Sequence, residues 1–97
     1  MKTVGEIKKI LKQNEKELKE KYKIKEIMIF GSYVRNEQKK KSDIDILVDF
    51  YEIPDLLKFI EIERHIKKML GVKVDLVPKP ALRPELRDKI LNEATTV

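Results

Sequence analysis

Two neighbouring stretches decide how this chain folds: Ile27-Met28-Ile29-Phe30-Gly31-Ser32-Tyr33-Val34-Arg35, and Ser42-Asp43-Ile44-Asp45-Ile46-Leu47-Val48-Asp49-Phe50. In the first, a continuously apolar run ends at Gly31, which reads as a buried strand from about Ile24 to Phe30. Ser32 can then cap a short helix to about Glu37. In the second, Ile44, Ile46, Val48 and Phe50 alternate strictly, which reads as a strand even though aspartate is a poor strand former. The period of two puts Asp43 and Asp45 side by side on one face.

That pairing is chemically expensive. Two carboxylates held so close repel, and each raises the pKa of the other. Magnesium relieves the strain, because it takes a few carboxylates and fills its other positions with water and phosphate oxygens. Gly31 lets a phosphate approach the backbone, N–H groups of a following helix would face it, and the Ser32 hydroxyl adds a donor. Taken alone, an Asp-x-Asp pair is more often an exposed strand end, and a Gly-Ser pair is usually only a turn.

Working outward, Thr3 and Glu6 have capping-box spacing. Val4, Ile7, Ile10, Leu11 and Leu18 recur at helical spacing, predicting one helix to about Tyr22. Pro54 opens a later helix with apolar positions at Leu56, Leu57, Ile60, Ile66, Met69 and Leu70, of which Met69 and the leucines are read, with Met28, as core. Gly71 stands where a left-handed C-terminal residue is wanted. Val72 to Val77 alternates again, placing Asp75 on its more polar side, and Pro78 and Pro80 stop it. Pro84 suits the first turn of a last helix through about Leu91.

The predicted order is α-β-α-β-α-β-α, an α/β (α+β) chain with a small mixed sheet flanked by helices. The helical crossover between the second and third strands favours parallel pairing. For Gly31 and Asp43 to face one ligand, the first two strands must be antiparallel. Asp75 then becomes a third carboxylate beside Asp43 and Asp45.

The 97 residues are expected to form a single domain, 1–97. No cysteine is present, so disulfides and thiolate metal sites are excluded. The opening Met-Lys-Thr-Val-Gly-Glu lacks a signal-peptide apolar region, and no apolar run approaches the ~20 residues of a membrane span. The expectation is a soluble, cytoplasmic protein with no membrane partner. A net charge of +5 favours anionic partners. Yet many lysines alternate with glutamates, as solvated helix faces do, so direct nucleic-acid binding is not expected. The Lys39-Lys40-Lys41 run reads equally as a solvated turn or as an attractor of phosphate. His65 is read as a surface residue, Asp49 as a strand-end residue outside the site, and Tyr33 as solvent-exposed rather than stacked on a base.

Gly31-Ser32-x-x-Arg35, Ser42-Asp43-Ile44-Asp45 and the later Val74-Asp75-Leu76 together resemble the DNA-polymerase-β-like nucleotidyltransferase superfamily. Within it, the chain resembles the minimal nucleotidyltransferase (MNT) family over nearly its whole length. The resemblance implies an antitoxin that transfers AMP from ATP onto a tyrosine of a HEPN ribonuclease toxin, releasing pyrophosphate. It implies that Gly31 and Ser32 hold the terminal phosphates and that Arg35 steadies the turn or touches phosphate. Asp43 and Asp45 would bind both Mg2+ ions, and Asp75 would bind the catalytic one and help activate the attacking hydroxyl. The chain departs from the pattern at Asn36, where a glycine is common, and at Lys39–Lys41; asparagine also tolerates left-handed geometry. Alternatives are a partner-neutralising module without catalysis, and transfer to a small molecule, although there is no room for an acceptor domain.

Overall fold

The computed structural model describes residues 3–35, 37 and 43–97. The readings made of Asn36, Lys39–Lys41 and Ser42 lie outside the described residues. The order is α1 (Val4–Gln13), α2 (Glu15–Tyr22), β1 (Ile24–Phe30), β2 (Ile44–Phe50), α3 (Leu56–Leu70), β3 (Val74–Pro78), a 3₁₀ turn (Lys79–Ala81), α4 (Pro84–Glu93) and β4 (Thr95–Thr96).

The sheet is mixed, as expected. Its order is β3-β2-β1-β4, with β1 antiparallel to β2 and to β4, and β2 parallel to β3. The strand alternation sorts side chains onto two faces. Ile27, Ile29, Ile44, Ile46, Val48 and Leu76 pack with Ile7, Leu11 and Leu18 of α1 and α2 and with Ile62, Ile66 and Leu70 of α3. Each such side chain contributes about 1.5–3 kcal/mol by leaving water. Met28 and Leu47 occupy the opposite face with Leu82, flanked by Phe30, Val77 and the α4 residues Ile90 and Leu91.

Several elements differ from the sequence expectation. The first helix is two, broken at Asn14. The Asn14 side-chain amide donates to the Ile10 carbonyl at 2.8 Å, and its backbone N–H turns to Leu11 instead. The asparagine side chain thus takes the acceptor that would have continued the ladder. Thr3 caps α1 by accepting from the Glu6 N–H at 3.2 Å.

No helix follows Gly31 among the described residues. Instead the Val34 and Arg35 N–H groups both donate to the Gly31 carbonyl, and the turn goes no further as a helix. Tyr33 is only 3% exposed, so the expectation that it faces solvent is wrong: its ring is core.

In α3 the cap is Asp55, which accepts from the Lys58 N–H at 2.8 Å, one residue past the predicted Pro54. Gly71 closes the helix at φ 68°, as expected. The buried stripe is Ile62, Ile66 and Leu70, whereas Leu56 and Leu57, expected in the core, are exposed, and Ile60 is exposed as well. Leu57 lies nine residues before Ile66, about two and a half turns, and so on the opposite side of the helix. His65 lies at the surface, partly covered, and is set edge-on against Tyr22 at 5.8 Å between ring centroids.

Candidate active site

The site forms where β1 ends and β2 and β3 begin. The ladder sets Phe30 opposite Asp45, and Asp45 beside Asp75. Neighbouring strands lie about 4.8 Å apart, so Asp45 and Asp75 emerge as a pair from adjacent backbones. Asp43, one residue before β2, shares their face. That face also carries Phe30, Leu47 and Val77, the side covered further along by α4. Asp43 and Asp75 are exposed, while Asp45 is half-buried between them.

The consequence is electrostatic. The Asp45 carboxyl is pushed up to about 6, first by burial and then by the charges of Asp75 and Asp43. This is the mutual repulsion that the Asp-x-Asp spacing forecast, with Asp75 as the stronger of the two neighbours.

Gly31 has a second duty that the sequence did not announce. Its φ is +81°, and a Cβ placed on it would lie 2.0 Å from Asp45 Oδ2. The Asp45 carboxylate is therefore seated on the bare backbone of Gly31, and any larger residue would displace it. Ser32 follows at the start of the turn, half-buried.

Arg35 does not stand alone. Its Nε donates to Glu37 at 2.9 Å and its Nη1 to Glu93 at 2.5 Å. These two carboxylates, Glu37 first, hold its pKa above the ordinary arginine value. Glu93 is the functional candidate that sequence reading missed. It belongs to the last turn of α4, where a negative charge opposes the helix dipole by about 0.3–1 kcal/mol. That adverse placement is the one local signal that could have drawn attention to it. A second unforeseen carboxylate, Glu63, accepts the Leu76 N–H at 3.2 Å and so braces the edge strand beside Asp75. Asp49, paired across the ladder with Glu26, lies outside the site, as read.

All three aspartates supply the hard oxygen donors that magnesium prefers. Among the described residues, no three acidic, histidine or cysteine side chains close on one point as a metal-ligand group. Two features nonetheless fit a divalent cation whose shell is completed by phosphate and water: aligned backbones, and a carboxylate destabilised by its neighbours. Among the described residues, a hollow of about 420 Å³ is lined by Arg64, Lys67, Lys68 and Lys73, one of about 360 Å³ by Lys8, Lys9, Lys12 and Thr96, and one of about 320 Å³ by Lys21, Tyr22, Lys23, Pro54 and Lys58; none of these three includes an aspartate of the site.

The model of the nucleotidyltransferase domain family matches residues 7–97, a span that includes the Gly31 turn and all three aspartates. The chain belongs to the nucleotidyltransferase domain family. A Methanocaldococcus jannaschii protein, named as a candidate protein adenylyltransferase, is 59% identical over 93 residues, covering 96% of this chain and 95% of its own length. The Thermococcus cleftensis protein adenylyltransferase MntA is 50% identical over 97 residues, covering 100% of this chain and 98% of that protein. Among solved structures, a candidate minimal nucleotidyltransferase superposes with a TM-score of 0.76 at 31% identity, covering 94% of this chain and 95% of that one. The fold and family place this nucleotidyltransferase in the minimal branch. A toxin–antitoxin complex with AMP-PNP gives a TM-score of 0.71 at 26% identity, over 87% of this chain and 69% of that one. A complex of tri-AMPylated Shewanella oneidensis HEPN toxin with MNT antitoxin gives 0.61 at 25% identity, over 95% and 66%.

Proposed function

We propose that residues 1–97 act as a single-domain protein adenylyltransferase, transferring AMP from ATP to a tyrosine of a HEPN-type ribonuclease partner and releasing pyrophosphate. The observation that carries this reading is the set of three carboxylates sharing a face, with Asp45 seated on Gly31 and its carboxyl pushed up by burial and then by Asp75 and Asp43. A binding module has no use for so unfavourable a grouping. The named activities of the relatives, and the AMPylated toxin held by a related antitoxin, support the choice of donor and acceptor.

In the transfer, the acceptor hydroxyl oxygen bonds to the α-phosphorus of ATP, the bond from that phosphorus to the pyrophosphate oxygen breaks, and the hydroxyl proton passes to the Asp75 carboxylate and from there to solvent. Asp43, Asp45 and Asp75 would hold Mg2+. Bound there, the ions supply neutralisation of the phosphate charge and stabilise the entering and leaving oxygens. The chain's own groups do the rest. The Gly31–Ser32 backbone and the Ser32 hydroxyl receive the terminal phosphates. Asp75, exposed at the edge strand, faces the incoming hydroxyl and favours loss of its proton. Among the described residues no helix is long and apolar enough to cross a membrane, and we place the pair in the cytoplasm.

The test is intact mass of the partner after incubation with this protein, ATP and magnesium. AMP-sized increments that disappear with Asp43→Asn would support transfer. An unmodified partner that is nonetheless silenced in a tight complex would replace transfer with neutralisation by contact.

A further inference from the structure

Glu93 is an anion at the wrong end of a helix. It ends α4, whose last turn carries no basic residue, so the helix gains nothing from it. Its side chain is only 18% exposed, and it is spent on Arg35, 58 residues away in sequence. Ion pairs near a surface add little to stability. The contact therefore needs a purpose other than holding the fold together.

Its surroundings supply one. The Arg35 N–H donates to the Gly31 carbonyl at 3.2 Å, so Arg35 closes the turn that Gly31 opens. Just beyond Glu93, Thr95 pairs with Ile29 of β1, and the Val97 N–H donates to the Ile27 carbonyl at 3.1 Å. The contacts form a ring. β1 runs into Gly31, the turn runs to Arg35, Arg35 grips Glu93, and the strand after Glu93 returns to β1. Lys8 adds an outer tie, its ammonium donating to the Thr95 hydroxyl at 3.1 Å.

We propose that Glu93 is a positioning residue for the nucleotide site: by holding the Arg35 guanidinium toward α4, it fixes the Gly31–Arg35 turn for triphosphate. The inference rests on the nucleotidyl-transfer reading and deepens it. It assigns Arg35 to the turn and not to phosphate, and it gives the C-terminal segment a part in nucleotide binding.

Glu93→Gln tests this, since it keeps the shape and removes the charge. The KM for ATP at fixed magnesium should rise about five- to tenfold, with kcat at saturating ATP within about twofold. The melting temperature should move by no more than about 3 °C. Glu93→Asp, which keeps the charge, should recover most of the KM. Arg35→Ala combined with Glu93→Gln should cost less than the sum of the two, because the partners share one contact. An unchanged KM in Glu93→Gln would overturn the proposal. So would a fall in kcat that tracks a lowered melting temperature, the mark of general loosening. Titration with a fluorescent ATP analogue separates the two levels. Equal binding by wild type and Glu93→Gln overturns only the positioning role, whereas a wild type that binds none overturns the transfer reading and this inference with it.

Discussion

The two ends of β2 are built on opposite faults. At its start, Asp43, Asp45 and Asp75 stand on one face, with Asp45 opposite the end of β1 and beside Asp75. Beyond its finish, Tyr51, Ile53, Leu56 and Leu57 stand 70–81% exposed. Only the first fault is a strain. A carboxylate pushed up to about 6 loses free energy on folding at neutral pH, because folding buries it and then sets Asp75 and Asp43 beside it, and the unfolded chain does neither. An exposed leucine meets water in both states and loses almost nothing. Strain at one end therefore marks a place that a cation and a phosphate would relieve, and exposure at the other leaves the fold indifferent.

The largest expected effect breaks the strained end directly. Asp45→Asn should lower the transfer rate by about a thousandfold, the loss expected when several kcal/mol of charge stabilisation by bound metal is removed. The same variant should melt no lower than wild type at pH 7, since the repulsion goes with the charge. A calorimetric scan beside a transfer assay reads both. A variant that is inactive because it is unfolded would remove the contrast.

Next comes Gly31→Ala. Its methyl would meet Asp45 Oδ2 at 2.0 Å while adopting a φ of +81°. The left-handed geometry alone costs about 1–2 kcal/mol, and a melting temperature lower by about 5–15 °C should accompany loss of transfer. Full activity in this variant would show that the carboxylate does not need its glycine seat.

The titration of Asp45 is a subtler probe. Its ordinary carboxyl value is 3.8 and its folded value about 6, so between them the native state holds a proton the unfolded chain has lost. Stability is then lost as pH rises through that window and is not regained above it. The unfolding free-energy advantage of Asp45→Asn over wild type should grow from about pH 4 to pH 6, reaching about 1–2 kcal/mol after allowance for solvent screening at a half-buried group. Magnesium should shrink that advantage at pH 7. A difference that is constant across pH would deny that Asp45 is strained.

The smallest effect belongs to the other end. Leu57→Ser should change stability by no more than about 0.5 kcal/mol, as surface substitutions do. Chemical denaturation would check it, and a loss of several kcal/mol would mean that Leu57 is not the solvent-facing residue found here.

Much of this was legible in the chain itself. The alternation of Ile44, Ile46, Val48 and Phe50 fixed a strand and placed Asp43 and Asp45 together, because a strand has only two faces. The need for Gly31 and Asp43 to meet required the antiparallel pair, and the crossover before Val74 required the parallel one. The mixed sheet and the meeting of Asp45 with Asp75 followed from those local rules. What periodicity could not determine was which faces would find partners. Leu56 and Leu57 repeat at helical spacing yet face water, and Tyr33 sits in a polar turn yet is buried, because burial depends on what the rest of the chain brings near. The seating of Asp45 on Gly31 and the grip of Glu93 on Arg35 join residues 14 and 58 positions apart, and contacts at such separation leave no trace in local pattern. The sequence by itself thus determined the strands and the chemistry of the carboxylates. Only the tertiary structure decided how they are held, since that depends on close contacts made after the elements have packed.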